Sequence, residues 1–408
     1  MASGSTFLLN LLLARWLTRD GFGAFAVAFT TLMFLAIYHS VLLLEPMAIM
    51  GPAKYTEKMI GYFLAQLKIH AIVVATLCGL LALTGGAMSA LGVHRELATA
   101  TVGSALALPF LLLLWLVRRM CYLVQQPSIA VWTSVTYVGL MLVGLVGLHA
   151  KQWLSPFSAF LWVGAASVVA VPWPLRQIGI LRAGSGRACP VMPVVRESWN
   201  YGRWLAASTT LLSVASQTQT YLAAAMIGLG AAGALRAMQI PALVMTQVVA
   251  AVALLVLPTM SYDFGRGRTD RLRSKTVLST LAMTALATAY FVLLWVFARP
   301  IEHLLYGGKF SAYAWLIPVL GLVPVCSGFS LGFAMALRAA QKPHFDLLAN
   351  AVSAPVGLIT ALLFIKAWGL AGAAISVVAG FVASAGVLFL SSSKLMREMQ
   401  RTPKSALA

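Results

Sequence analysis

LATATVGSALALPFLLLLWLVRRMCYLVQQPSIAVWTSVTYVGLMLVGLVGLHAK, residues 97–151, decides the fold. Two apolar runs, about 97–117 and 129–149, flank a short junction that holds Arg118 and Arg119. Crossing a hydrocarbon core of about 30 Å takes roughly 20 apolar residues in a helix. Lipid offers backbone groups no outside partner, so runs of this kind must be helical. Both arginines lie at the near end of the second run, and its far end carries only Lys151.

The same reading extends along the chain. Candidate spans run roughly 3–17, 23–44, 61–84, 97–117, 129–149, 155–178, 204–228, 237–258, 276–298, 312–335, 345–365 and 369–391. Twelve spans make alternate loops basic. One set of loops holds 21 of the 29 Lys and Arg residues, from Lys54, Lys58 and Lys68 to Lys394, Arg397, Arg401 and Lys404. The other holds eight: Arg15, Arg19, Arg95, Lys151, Arg236, Arg299, Lys309 and Lys366. Lys and Arg accumulate on the cytoplasmic side of a membrane. The expected fold is all-α integral membrane, with about twelve transmembrane helices and both ends in the cytoplasm.

Composition agrees. Hydrophobic residues are 61% of the chain, charged residues 10%, and mean hydropathy is +0.89. A soluble domain carries roughly 25% charged residues, so a soluble core is excluded. The net charge of +19 sits in short loops between apolar runs. It therefore reads as topology and contact with anionic membrane lipids, and no nucleic acid partner is expected. Cys78, Cys121, Cys189 and Cys326 are far apart and form no CxxC pair, so neither a disulfide framework nor a metal site is implied. The opening residues lack a basic n-region, so no cleavable leader is expected. The first span is short; either the chain begins inside that helix, or its natural start lies upstream of Met1.

The chain divides six spans against six. An N-terminal lobe covers 1–180, a basic cytoplasmic linker 181–203, a C-terminal lobe 204–391 and a basic cytoplasmic tail 392–408. The lobes show internal similarity. LARWLTRDGFGAFAVAF from Leu13 aligns with AAAMIGLGAAGALRAMQ from Ala223 at an offset of 210, placing Gly23 on Gly233. Six is an even number, so both lobes insert the same way up and the repeat is parallel.

Gly228-Leu229-Gly230-Ala231-Ala232-Gly233 matches GxGxxG. A dinucleotide site needs a preceding strand and an acid about 20 residues on. Here both flanks are membrane helices and the next acid is Asp263, so the motif reads as a tight turn. His39, His70, His94, His149, His303 and His344 are scattered, without HExxH spacing, and neither a GxSxG elbow nor a P-loop occurs. No catalytic constellation, metal or cofactor is expected, and the chain does not read as an enzyme.

Polar residues at membrane depth are costly to bury and mark functional positions. Gln217 and Gln219 lie mid-span beside Ser213, Ser216, Thr218 and Thr220. They suit either helix–helix hydrogen bonding or a hydrated wall that meets sugar hydroxyls. His39 and His70 are packing residues or ion-coupling sites, because imidazole titrates near neutrality. Arg15, Arg203 and Arg236 lie at span ends, and Lys68 interrupts the third span after Gln66. They snorkel to headgroups or face a cavity that binds a phosphate-bearing substrate. Pro109, Pro172, Pro174, Pro241, Pro318, Pro324 and Pro355 recur within spans; two in one span, Pro318 and Pro324, suggest a bend.

LLLARWLTRDGFGAFAVA, with its Ala-Arg-x-Leu and Phe22-Gly23, resembles the opening of bacterial polysaccharide exporters and oligosaccharide-lipid flippases. These belong to the multidrug/oligosaccharidyl-lipid/polysaccharide, or MATE-like, superfamily. Tyr201-Gly202-Arg203-Trp204-Leu205, Gly233-Ala234-Leu235-Arg236-Ala237, Leu305-Tyr306-Gly307-Gly308-Lys309-Phe310 and Trp368-Gly369-Leu370-Ala371-Gly372-Ala373-Ala374 extend the resemblance over nearly the whole chain. The short first helix departs from the family pattern.

The resemblance implies a V-shaped transporter of two six-helix lobes that alternates access. Its substrate would be a polyprenyl-pyrophosphate-linked oligosaccharide, with Arg15, Arg203 and Arg236 at matching positions. A polysaccharide polymerase and co-polymerase would be its protein partners, in the bacterial cytoplasmic membrane. Rival readings are an ion-coupled multidrug exporter and a lipid II flippase. The multidrug exporter would need membrane carboxylates, and lipid II flippases have more spans. A membrane-embedded sugar polymerase would need a large outer loop, and a scaffold would leave the repeat unexplained.

Overall fold

The computed structural model describes residues 2–92, 94–182, 189–340, 342 and 344–401. Among these residues all regular structure is helical. The chain forms two compact units, Met1–Thr210 and Leu211–Ala408.

The first unit contains α1 (Ala2–Trp16), α2 (Arg19–His39), a π-helical turn (Ser40–Leu44), α3 (Glu45–Lys54), α4 (Met59–Ala90), α5 (Arg95–Leu123), α6 (Pro127–Ala150), α7 (Pro156–Ala170) and α8 (Pro172–Gln177). The boundary at Thr210 falls within α9 (Val191–Met226). The second unit continues with α10 (Leu229–Gly265), α11 (Thr269–Val296), α12 (Ala298–Tyr306), α13 (Leu316–Ala339), α14 (His344–Trp368) and α15 (Leu370–Arg401).

The two units are built alike. In the first, α5 is central and packs on α2, α4 and α7; in the second, α13 packs on α10, α11 and α15. The turn between α1 and α2, from Trp16 to Arg19, recurs 210 positions on between α9 and α10, from Met226 to Leu229. That second turn is the GxGxxG segment, and Gly228 makes it with φ +132°.

Ten of the described helical segments are long and apolar enough to cross a membrane. Two of the twelve expected spans differ. α1 has 15 residues, short of a full crossing. α9 has 36 residues, but Ser213, Ser216, Gln217, Thr218, Gln219 and Thr220 dilute its apolar character. Large apolar side chains cover the surface, among them Leu83 at 73% exposed, Val143 at 71% and Leu255 at 77%. Such a surface is stable against lipid and not against water.

Helix breaks follow local chemistry. Ser155 caps α7 reciprocally with Ser158, and Pro156 starts the helix, where a missing N–H costs nothing. Pro172 divides the sixth expected span into α7 and α8. Pro318 lies in the first turn of α13, so Pro324 alone is interior to that helix. Gly369 ends α14 with φ +56°, and a Cβ on Gly372 would strike the carbonyl of Phe364. The Gly-x-x-Gly pattern near the end of the chain is thus a turn followed by a close helix contact.

The stretch expected as a linker, 181–203, is helical from Val191 onward, and 183–188 lie outside the described residues. Cys189 donates its N–H to Gly61 O at 3.0 Å, and Lys54 pairs with Glu197 at 3.0 Å. Val194 joins the core around Tyr62, Phe63 and Met120. Apolar packing and polar clips hold this stretch against α3 and α4. Of the expected tail, 392–401 continue α15 as helix and 402–408 lie outside the described residues.

Candidate functional site

In the first unit, His39 and His70 meet. His39 Nε2 and His70 Nδ1 are 2.9 Å apart, and the residues are 0% and 6% exposed. One ring donates to the other across this contact, the direction depending on the tautomers. His39 Nδ1 remains, enclosed and without a hydrogen-bond partner among the described residues.

A second polar chain runs beside it. Gln66 donates to Tyr62 Oη at 2.9 Å, Tyr62 stacks on Tyr55 at 4.3 Å, and Tyr55 donates to Glu197 Oε2 at 3.3 Å. Burial first, then the negative charge of Glu197, holds the Tyr55 phenol above its usual pKa, so it remains a donor. Lys68 is exposed, whereas Gln66 and His70 are buried. Two residues on a helix are about 200° apart, so Lys68 points away from both.

Arg15 and Arg203 are exposed in the first unit. Arg203 follows Gly202, where an added Cβ would lie 2.7 Å from Val41 O in the π-helical turn. The second unit holds Gln217, half-buried, Gln219, 2% exposed, and Arg236, half-buried. Arg236 Nε is enclosed, with no hydrogen-bond partner among the described residues. The side chain of Ser216 lies outside the described residues. The six cavity candidates therefore divide three and three between the units.

One group escaped the sequence reading. Arg118 and Arg119, counted there only as loop charge, line a cavity of about 290 Å³ with Ser40, Glu45, Trp115 and Tyr122. The signal was present, since Trp115, Arg118, Arg119 and Tyr122 fall at i, i+3, i+4 and i+7 on one helix face.

Four acids are held in ion pairs and a fifth caps a turn. Glu197 pairs with Lys54, Glu45 with Arg119, Asp263 with Lys275 and Asp346 with Arg338. Glu302 is 2% exposed and accepts the Phe310 N–H at 2.8 Å. Asp20, Glu57, Glu96 and Asp270 are exposed near helix ends. Among the described residues, the carboxylate furthest inside a candidate span is Glu45, in Arg19–Pro52, and it is paired with Arg119.

No family model matches the sequence, and no curated protein matches it. Solved structures share its fold. An inward-facing multidrug resistance MATE family transporter of the MOP superfamily aligns with TM-score 0.83 at 13% identity, over 98% of this chain and 96% of its own. The lipid II flippase MurJ, in an inward closed conformation, aligns with TM-score 0.77 at 11% identity, over 97% of this chain and 87% of its own. An outward-facing MATE family transporter gives 0.64 at 15% identity, over 98% and 94%. The chain has the multi-pass helical membrane fold of these transporters.

Proposed function

We propose that this chain is a flippase that moves a polyprenyl-pyrophosphate-linked oligosaccharide across the cytoplasmic membrane by alternating access. The commitment of the acids carries the reading. Cationic cargo needs an available carboxylate at membrane depth, and the described acid furthest inside a candidate span, Glu45, is paired with Arg119. Lys68 lies deeper in its candidate span than any described acid, and Arg236 lies as deep as Glu45 with no ion-pair partner among the described residues. Anionic cargo suits that charge balance, and arginine's planar fork suits phosphate.

A sugar headgroup cannot cross hydrocarbon unaided, because its hydroxyls would lose their hydrogen bonds. A wet cavity substitutes for water while the polyprenyl tail stays in lipid. In this reading Arg15, Lys68, Arg203 and Arg236 neutralise pyrophosphate, Gln217 and Gln219 meet sugar hydroxyls, and His39 with His70 couples an ion. Two six-helix lobes, 1–180 and 204–391, rock about the membrane midplane, and both termini are cytoplasmic. A polymerase and co-polymerase take the product.

The test replaces Arg15, Lys68, Arg203 and Arg236 singly with Gln. Membrane abundance is checked, and lipid-linked oligosaccharide is followed on each side of the membrane. Accumulation on the inner side supports the reading; unchanged export in all four variants removes it.

A further inference from the structure

The cavity at the end of α5 has a use outside the transport reading. Its floor is one face of that helix, Trp115, Arg118, Arg119 and Tyr122. Its opposite wall comes from the π-helical turn. There the Glu45 N–H bonds Ser40 O, five residues back. This wider turn carries Ser40 and Glu45 to the same cavity. Single π-turns recur at functional sites because they re-aim side chains in this way.

The donors are under-used. A guanidinium has five N–H groups. One Arg119 nitrogen straddles both Glu45 oxygens at 3.4 Å, longer than the 2.7–2.9 Å typical of a charge-assisted bond. Arg119 Nε is enclosed and has no partner among the described residues. Arg118 makes no hydrogen bond among those residues, and its Nε is likewise enclosed. Arg118 also lines a smaller neighbouring cavity with Thr6 and Tyr137. Both Nε atoms are enclosed while the Arg119 side chain is 35% exposed, so each guanidinium is only partly withdrawn from water.

We propose that Arg118 and Arg119 form a binding site for a single phosphate group, with Glu45 as a built-in competitor. Two forks offer paired N–H donors to a tetrahedral oxyanion. Trp115 and Tyr122 are amphipathic and suit the headgroup level of a bilayer, where a lipid phosphate lies. Ser40 lines the same cavity and carries a hydroxyl donor. Either a phospholipid headgroup or the pyrophosphate of a lipid-linked or free compound offers the required chemistry. The site does not depend on the proposed cargo, and its test reads binding without transport.

The purified full chain in a neutral detergent is titrated with inorganic pyrophosphate and with short-chain phosphatidylglycerol. Short-chain phosphatidylcholine is the zwitterionic control. Arg118→Gln weakens binding at least tenfold, and Arg118→Lys, which keeps charge but loses the fork, falls between. Glu45→Gln tightens binding two- to threefold, because it frees Arg119 and removes a repelling charge. A purely structural pair predicts no gain there. Saturation by pyrophosphate alone assigns the site to a pyrophosphate compound, and saturation by phosphatidylglycerol alone assigns it to membrane lipid; either supports the site. Binding that is equal in Arg118→Gln and wild type, or not tightened in Glu45→Gln, overturns it. Size-exclusion profiles verify folding, and Glu45→Gln decides the matter if Arg118→Gln does not fold.

Discussion

The Tyr306 hydroxyl donates to Ala237 O at 2.7 Å. Ala237 stands four residues before Pro241 in α10. Proline has no N–H, so a helix loses the bond to the residue four back. Tyr306 supplies the donor that Pro241 lacks, directly after Arg236. Burial, and then the charge of Glu302, pushes the phenol's pKa up, so it stays protonated. Tyr306→Phe should therefore destabilise the chain by about 1–3 kcal/mol, as an orphaned buried acceptor does. In a Pro241→Ala background the helix regains its own donor, and the same change should cost under about 0.5 kcal/mol. Unfolding of the four variants in mixed micelles gives the cycle; equal costs in both backgrounds would show that the hydroxyl is incidental.

The histidine pair makes a different forecast. Removing one ring strands a buried nitrogen of the other, at about 1–3 kcal/mol. Replacing both with Phe removes both orphans, so His39→Phe/His70→Phe should cost clearly less than the two single changes together. A proton added to the pair can occupy His39 Nδ1, which has no hydrogen-bond partner among the described residues. If the pair couples ions, His39→Gln should flatten the dependence of export on external pH while keeping membrane abundance. A pH profile identical to wild type would sink the coupling role and leave the packing role standing.

Close helix approach is testable at glycine. A methyl at Gly202 meets Val41 O at 2.7 Å and Leu42 Cα at 3.2 Å, both backbone atoms of the π-helical turn and its surroundings. Gly202→Ala should cost about 1–3 kcal/mol, as overpacking does. Gly86, inside α4, has nothing within 4 Å. Gly86→Ala should be neutral or stabilising by up to about 1 kcal/mol. Equal melting temperatures for the two variants would count against the contact at Val41.

What the sequence made legible follows from where physics acts locally. Runs such as 97–117 identify themselves, because lipid forces apolar residues into helices. The Trp16–Arg19 turn and its recurrence at Met226–Leu229 were visible because Gly and polar residues punctuate both. The interior of each unit was not visible. In α12 the inward stripe is Ala298, Glu302 and Tyr306, while Leu304 is 73% exposed. Hydropathy alone turns that helix the wrong way, because the cost of burying Glu302 is offset by the Phe310 N–H. The π-helical turn was equally hidden, since its register comes from packing. The pairing of His39 with His70, 31 residues apart, needed the packing of α2 on α4. Lys68 is exposed where Gln66 and His70 are buried, a difference of face that the apolar run around it does not reveal.

Orientation rests on charge alone, so it yields the last forecast. Arg266 and Arg268 lie between α10 and α11, and Arg271, Arg273 and Lys275 open α11. Between α6 and α7 the five residues 151–155 hold one cation, Lys151. The positive-inside rule puts the first loop in the cytoplasm and the second outside. Single cysteines at Gly267 and Gln152, in a chain without Cys78, Cys121, Cys189 and Cys326, separate the cases. In intact cells a membrane-impermeant maleimide should label Gln152→Cys and leave Gly267→Cys unlabelled until the cells are opened. Gly267 has φ +64°, so its cysteine variant carries backbone strain, and Arg268→Cys serves as the second reporter. Labelling of the basic loop from outside would invert the chain in the membrane. The cytoplasmic assignment of the Arg118–Arg119 cavity would invert with it, because both junctions belong to the same basic set.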